Sequence, residues 1–217
     1  MKEVRTSMAK VQAEIRGLAA QVQDHPVYQE LRSGNLSPER YQLLLWSLRQ
    51  VHLAVERQAE NTRADSVRAV RGKLSTKVPA LERDLVAACG KHLVVPSLVN
   101  EPLDGFCTSM EKPTTPARML GRLLLAEALL AGHAVLYSGF STTPALPAGA
   151  GCYFALGHDA AQFQEICAAF APGLVGEVPA SNAYQAAQAM RGVLVATLDA
   201  VMRTTARRRS IPAERTA

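Results

Sequence analysis

Aromatic side chains make up only 5% of the 217 residues, with a single tryptophan, Trp46. A net charge of +5 unaccompanied by aromatic interleaving or a recognition motif does not point to nucleic acid. No uninterrupted apolar run reaches the length of a bilayer-spanning helix. The longest stretch, Met119 to Gly139, is broken by Arg122, Glu127 and His133 and reads as a buried core helix. The sequence opens with Lys2, Glu3 and Arg5 and lacks an apolar block before a small-residue cleavage site, which predicts a cytoplasmic protein. Cysteine is sparse as well. Cys89, Cys107, Cys152 and Cys167 form no C-x-x-C pair, which argues against a zinc site or disulfide framework and predicts reduced thiols. Period-two alternation is missing throughout, so a sheet has little support.

What is present suits one helical core. Hydrophobic residues at 48% and charged residues at 20%, with a mean hydropathy of zero, describe an ordinary globular chain. The expected organisation is one domain over residues 1–205 and a basic tail over 206–217, where Arg207, Arg208 and Arg209 precede Ile211 and Pro212.

Val4, Met8, Val11, Ile15, Leu18 and Val22 alternate steps of four and three, one stripe of an amphipathic helix. Asp24 is the expected cap of a short second helix starting at Pro26, with His25 a surface histidine at its start. Ser33 and Gly34 close that helix, and Ser37 with Pro38 and Glu39 opens a long third one reaching Asn61. Further helices are expected over Val67–Leu74 and Val78–Leu93. Val94 to Pro116 is expected to be irregular, because Pro96, Pro102, Gly105 and Pro113 punctuate it. Helix then runs from Met119 to Tyr137, apolar nearly all round with Glu127 as its single carboxylate. Ser141–Gly157 reads as a turn-rich connection, Asp159 opens a helix to Ala171, and Ser181 opens a last one to about Arg207.

The stretch HPVYQELRSGNLSPERYQLLLWSLRQVHLAVERQ, followed much later by LGRLLLAEALLAGHAVL and GAGCYFALG, resembles the bacterial biliverdin-producing heme oxygenases. The resemblance covers roughly residues 10 to 200 in the right order. It implies an all-α, heme-oxygenase-like multi-helix bundle, heme as cofactor, dioxygen and an external electron donor as co-reactants, and biliverdin as product. In that family a histidine of the first helix ligates the iron, and glycines of the distal helix let its backbone approach the iron-bound oxygen, where a Cβ would intrude. Counting back from His25-Pro26 places the histidine position at Ala19, which has no ligating atom. Gly132 matches one distal glycine, Ala128 and His133 stand at two others, and Leu129 stands near the family's polar position. The resemblance therefore assigns Ala19, Leu129, Gly132 and His133 to the heme contact and Ala128, Gly132 and His133 to the catalytic face, with oxidation dependent on a substitute ligand. The basic side chain that the family directs at the heme carboxylates falls among Ile166, Cys167, Ala168, Ala169 and Phe170.

Three alternatives stay open. His52 and Glu56 share a helix face and could ligate a metal with Glu127 and His133, as in a di-iron version of the superfamily. Cys152 would be the nucleophile of a thiaminase-like version. The third alternative is a binding or interaction protein that kept the fold and lost the heme chemistry, motivated by Ala19, Ala128 and the alanine-rich penultimate helix.

Overall fold

The structure is a computed structural model and describes residues 2–89, 94–133, 136 and 150–209. The helices are α1 (Lys2–Gln23), α2 (Pro26–Arg32), α3 (Pro38–Asn61), α4 (Asp65–Arg71), α5 (Val78–Cys89), α6 (Ser97–Met110), α7 (Pro116–Ala131), α8 (Ala160–Phe170) and α9 (Glu177–Arg209), with single turns at Phe154–Leu156 and Ala171–Leu174. Among the described residues there is no strand.

Helix α7 is the axis of the bundle. From Met119 to Leu130 every residue except Arg122 is buried, as expected of a helix that is apolar all round. It packs between α1 and α9, while α3 closes the bundle against α5, α6 and α9. The stripe predicted for α1 is buried from Val11 through Ile15, Leu18 and Val22. Ser37 and Thr115 cap α3 and α7 through their side chains. Asp159 caps α8 in a reciprocal capping box with Gln162.

Several expectations are corrected. Helix α6 occupies most of the segment read as irregular. Its stripe Val99, Leu103, Phe106 and Met110 is buried, and that burial outweighs the hydrogen bond lost at Pro102, inside its second turn. His25, not Asp24, caps α2: Nδ1 accepts from the Val27 N–H at 3.2 Å. His25 is also only 8% exposed, with Nε2 3.1 Å from Asp199 of α9, so it ties two helices together and is not a surface group. The last helix starts at Glu177, directly after Gly176, whose φ of +99° makes the turn. The expected helix ends at Leu93 and Tyr137, most of the Ser141–Gly157 connection, and the tail from 210 lie outside the described residues.

At Gly121 the backbones of α7 and α9 touch. A Cβ there would stand 2.0 Å from the carbonyl oxygen of Ala183, a backbone atom that cannot swing away. Gly121→Ala is expected to destabilise the fold by about 3 kcal/mol or more. Gly192→Ala on α9, with nothing within 4 Å, is expected to gain roughly 0.5–1 kcal/mol from helix propensity. Urea unfolding of both variants checks the pair, and equal midpoints would refute the close contact.

Candidate functional site

The residues assigned by resemblance lie where α1 meets the end of α7, and their side chains are buried there. Ala19 is 2% exposed, Ala128 5% and Leu129 fully buried. Gln23, one turn beyond Ala19, donates from Nε2 to the Leu129 carbonyl at 2.7 Å. The same amide lies across Gly132, where a Cβ would come within 2.3–2.6 Å of it. Gly132 has an ordinary helical backbone, so it serves close approach and not an unusual turn. The close approach is to Gln23.

His133 faces an aromatic compartment. Its ring lies 5.0 Å from that of Tyr153 and 4.9 Å from that of Phe154 between centroids, and stacks at 6.4 Å on Tyr28. Neither ring nitrogen has a hydrogen-bond partner among the described residues, and the Tyr28 hydroxyl is likewise unpartnered. Burial, then the nearby His158, pushes the His133 imidazole down to about 3. His52 of α3 reaches the same compartment, with Nε2 2.8 Å from the Tyr153 hydroxyl. Burial, then Lys77 and His133, holds it well below the usual histidine range.

Beside these rings lies a buried ionic cluster. Glu127 of α7 is fully buried. Its Oε2 is 2.7 Å from Nε2 of His158, and its Oε1 pairs with the ammonium of Lys77. Lys77 Nζ also donates to the Ser75 carbonyl at 2.8 Å, and its backbone N–H donates to Glu56 Oε1 at 2.7 Å. Burial raises the Glu56 carboxyl against the opposing pull of Lys77. Asp84 of α5, fully buried, accepts from the Cys152 and Tyr153 N–H groups at 2.8 and 2.9 Å. That bond pair fixes the segment carrying Tyr153 and His158.

Glu127 therefore answers Lys77 and His158 rather than His133. Among the described residues no group of three or more His, Cys, Asp or Glu side chains is disposed to hold a metal ion. Of the four residues in the di-iron reading, Glu127 is paired with the Lys77 ammonium. Cys152 is half-buried, and burial and Asp84 push its thiol up, opposite to what a nucleophile needs. Sequence reasoning missed Gln23, Tyr28, Lys77, Asp84, Tyr153 and His158. Tyr153 and His158 lie in or just after GAGCYFALG, which signalled them as a segment but not as individual side chains.

No family model matches the chain, and no curated protein matches it. Among solved structures it is similar to heme oxygenase-1 from the cyanobacterium Synechocystis sp., solved in complex with heme, with a TM-score of 0.70 over 93% of each chain at 12% identity. The chain thus has the all-α heme oxygenase fold. No helix among the described residues is long and apolar enough to cross a membrane.

The buried histidines set the acid response. Both have folded pKa values below the unfolded value of about 6.5, so the unfolded chain takes up protons that the native chain refuses. Stability is full above about pH 6.5 and falls as the pH drops toward 3, with a slope approaching about 1.4 kcal/mol per pH unit for each histidine. Urea midpoints measured from pH 7.5 to 4.5 are expected to decline, and His133→Phe to flatten the decline. Parallel profiles for parent and variant would contradict the assignment.

Proposed function

We propose that the chain is a heme-oxygenase-like binding or interaction protein that lacks the biliverdin-forming chemistry. The observation that carries this reading is Gln23, whose amide is bonded to the Leu129 carbonyl and lies across Gly132. A planar macrocycle in that place would have to break this bond and part α1 from α7. Ala19, at the family's ligand position, would offer it no donor atom. The residues present do not fit a heme held in the family's manner, so no heme-dependent step is assigned to them.

One observation favours a second reading, in which a heme or related tetrapyrrole is held with His133 as iron ligand. His133 is a fully buried histidine with both ring nitrogens unpartnered among aromatic neighbours, an arrangement that leaves a donor atom available. Under that reading Ala19, Ala128, Leu129 and Gly132 would border the ligand, and its oxidation would still need dioxygen and an external electron donor.

Hemin titration of the purified chain separates the two. The expected result is no saturable Soret change in the parent, and a histidine-type spectrum only in Ala19→His combined with Gln23→Ala, which supplies a ligand and opens the contact. A saturable one-to-one spectrum in the parent that His133→Leu abolishes would replace the first reading with the second. Biliverdin formation with ascorbate by the parent would overturn the loss of chemistry.

A further inference from the structure

Helix α3 carries a second stripe beside the one holding His52 and Glu56. Gln50, Leu53, Ala54, Arg57 and Asn61 repeat at three- and four-residue steps and line a half-open cavity of about 600 Å³, bounded on the other side by the end of α6 and the turn into α7. This volume suits a small organic molecule.

The lining is unbalanced in charge. Arg57, Arg63 and Lys112 contribute three cations against one acid, Glu111. None of the three cations forms an ion pair among the described residues, where the observed pairs use other groups. The wall behind them adds a fourth positive charge. Gln58, 7% exposed, donates from Nε2 to the Met110 and Lys112 carbonyls at 2.8 and 3.0 Å, fixing the turn. Its Oε1 accepts from Nη1 of Arg122. That half-buried guanidinium has no carboxylate partner among the described residues, and its Nε is buried without a hydrogen bond. Burial and the neighbouring Arg118 both press against its charge. A partly desolvated cation answered only by a neutral amide leaves a positive field that an anion would relieve. Leu53, Ala54, Met110 and Pro113 supply apolar surface to the same cavity.

We propose that this cavity binds a small organic anion, an apolar body bearing a carboxylate, sulfonate or phosphate group gripped by Arg57, Arg63 and Lys112. Guanidinium groups suit such oxygens because their paired N–H donors match two acceptors at once. The site lies away from the α1–α7 contact and is independent of how that contact is read.

The probe is 8-anilinonaphthalene-1-sulfonate, an arylsulfonate, with uncharged N-phenyl-1-naphthylamine as its counterpart, both titrated by fluorescence into the full chain. Saturable one-site binding of the sulfonate is expected, displaced by pyrophosphate and at least tenfold tighter than that of the uncharged probe, roughly the scale of a charge-assisted contact. The double variant Arg57→Ala/Arg63→Ala alters exposed side chains and is expected to fold and to lose roughly tenfold in affinity. Lys10→Ala/Lys73→Ala removes the same charge from exposed positions outside the cavity lining and is expected to change nothing. Cys107, half-buried in the lining, gives a second readout: bound sulfonate is expected to slow its reaction with a bulky maleimide. Equal affinity for the two probes, equal loss in the two double variants, or an unchanged Cys107 rate would each overturn the proposal.

Discussion

Much of this structure depends on one carboxylate. Glu127 sits on α7, which packs between α1 and α9 and against α3 and α8, with none of its surface in water. Transferring a lone carboxylate to such a place costs several kcal/mol, and leaving it without partners after burial costs about 3–5 kcal/mol. Lys77 and His158 must therefore arrive together, one from the turn before α5 and the other from the segment before α8. The gain is positional more than energetic, since a buried ion pair does little better than breaking even against apolar packing. Asp84 performs the same service a few residues away by holding the Cys152 and Tyr153 amides. Two buried carboxylates thus position Tyr153, and with it the compartment around His133.

From that arrangement follows the fate of the site. Both oxygens of Glu127 are engaged, one by Lys77 and the other by His158. With Gln23 laid over Gly132, the glycine that the resemblance assigns to ligand approach admits a protein side chain instead. A histidine surrounded by Tyr28, Tyr153 and Phe154 stays neutral because burial, and then the nearby His158, oppose its charge. The chain has the all-α heme oxygenase fold, and the groups at its centre interact with one another.

Much of the fold was legible because its signals are local. The α1 stripe, the Ser37 cap and the helix start at Asp159 are set by neighbours in sequence. Helix α6 was not, because Pro102 masked a stripe whose burial is decided by α3 and α9. His25 was misread for a related reason: its partner, Asp199, is 174 residues away. The candidate site was legible only as a set of positions. Ala19, Gly132 and His133 can be aligned with a family, but what fills the space beside them depends on the Gln23 side chain, which carries no motif. Lys77 was invisible for the same reason, since a lysine before a helix is ordinarily solvated and only the position of Glu127 shows otherwise.

Helix α1 and the end of α7 meet directly, with the Gln23 amide over Gly132, the position that the resemblance assigns to heme contact. The most direct test is the nuclear Overhauser effect between the Gln23 side-chain NH2 and the Gly132 α-protons in the isotopically labelled chain, together with the exchange rate of that NH2 with water. A strong cross-peak and slowed exchange are expected, since Nε2 is bonded to the Leu129 carbonyl at 2.7 Å. A missing cross-peak with freely exchanging Gln23 protons would mean that the amide does not lie over Gly132, and would remove the observation on which the proposed function rests.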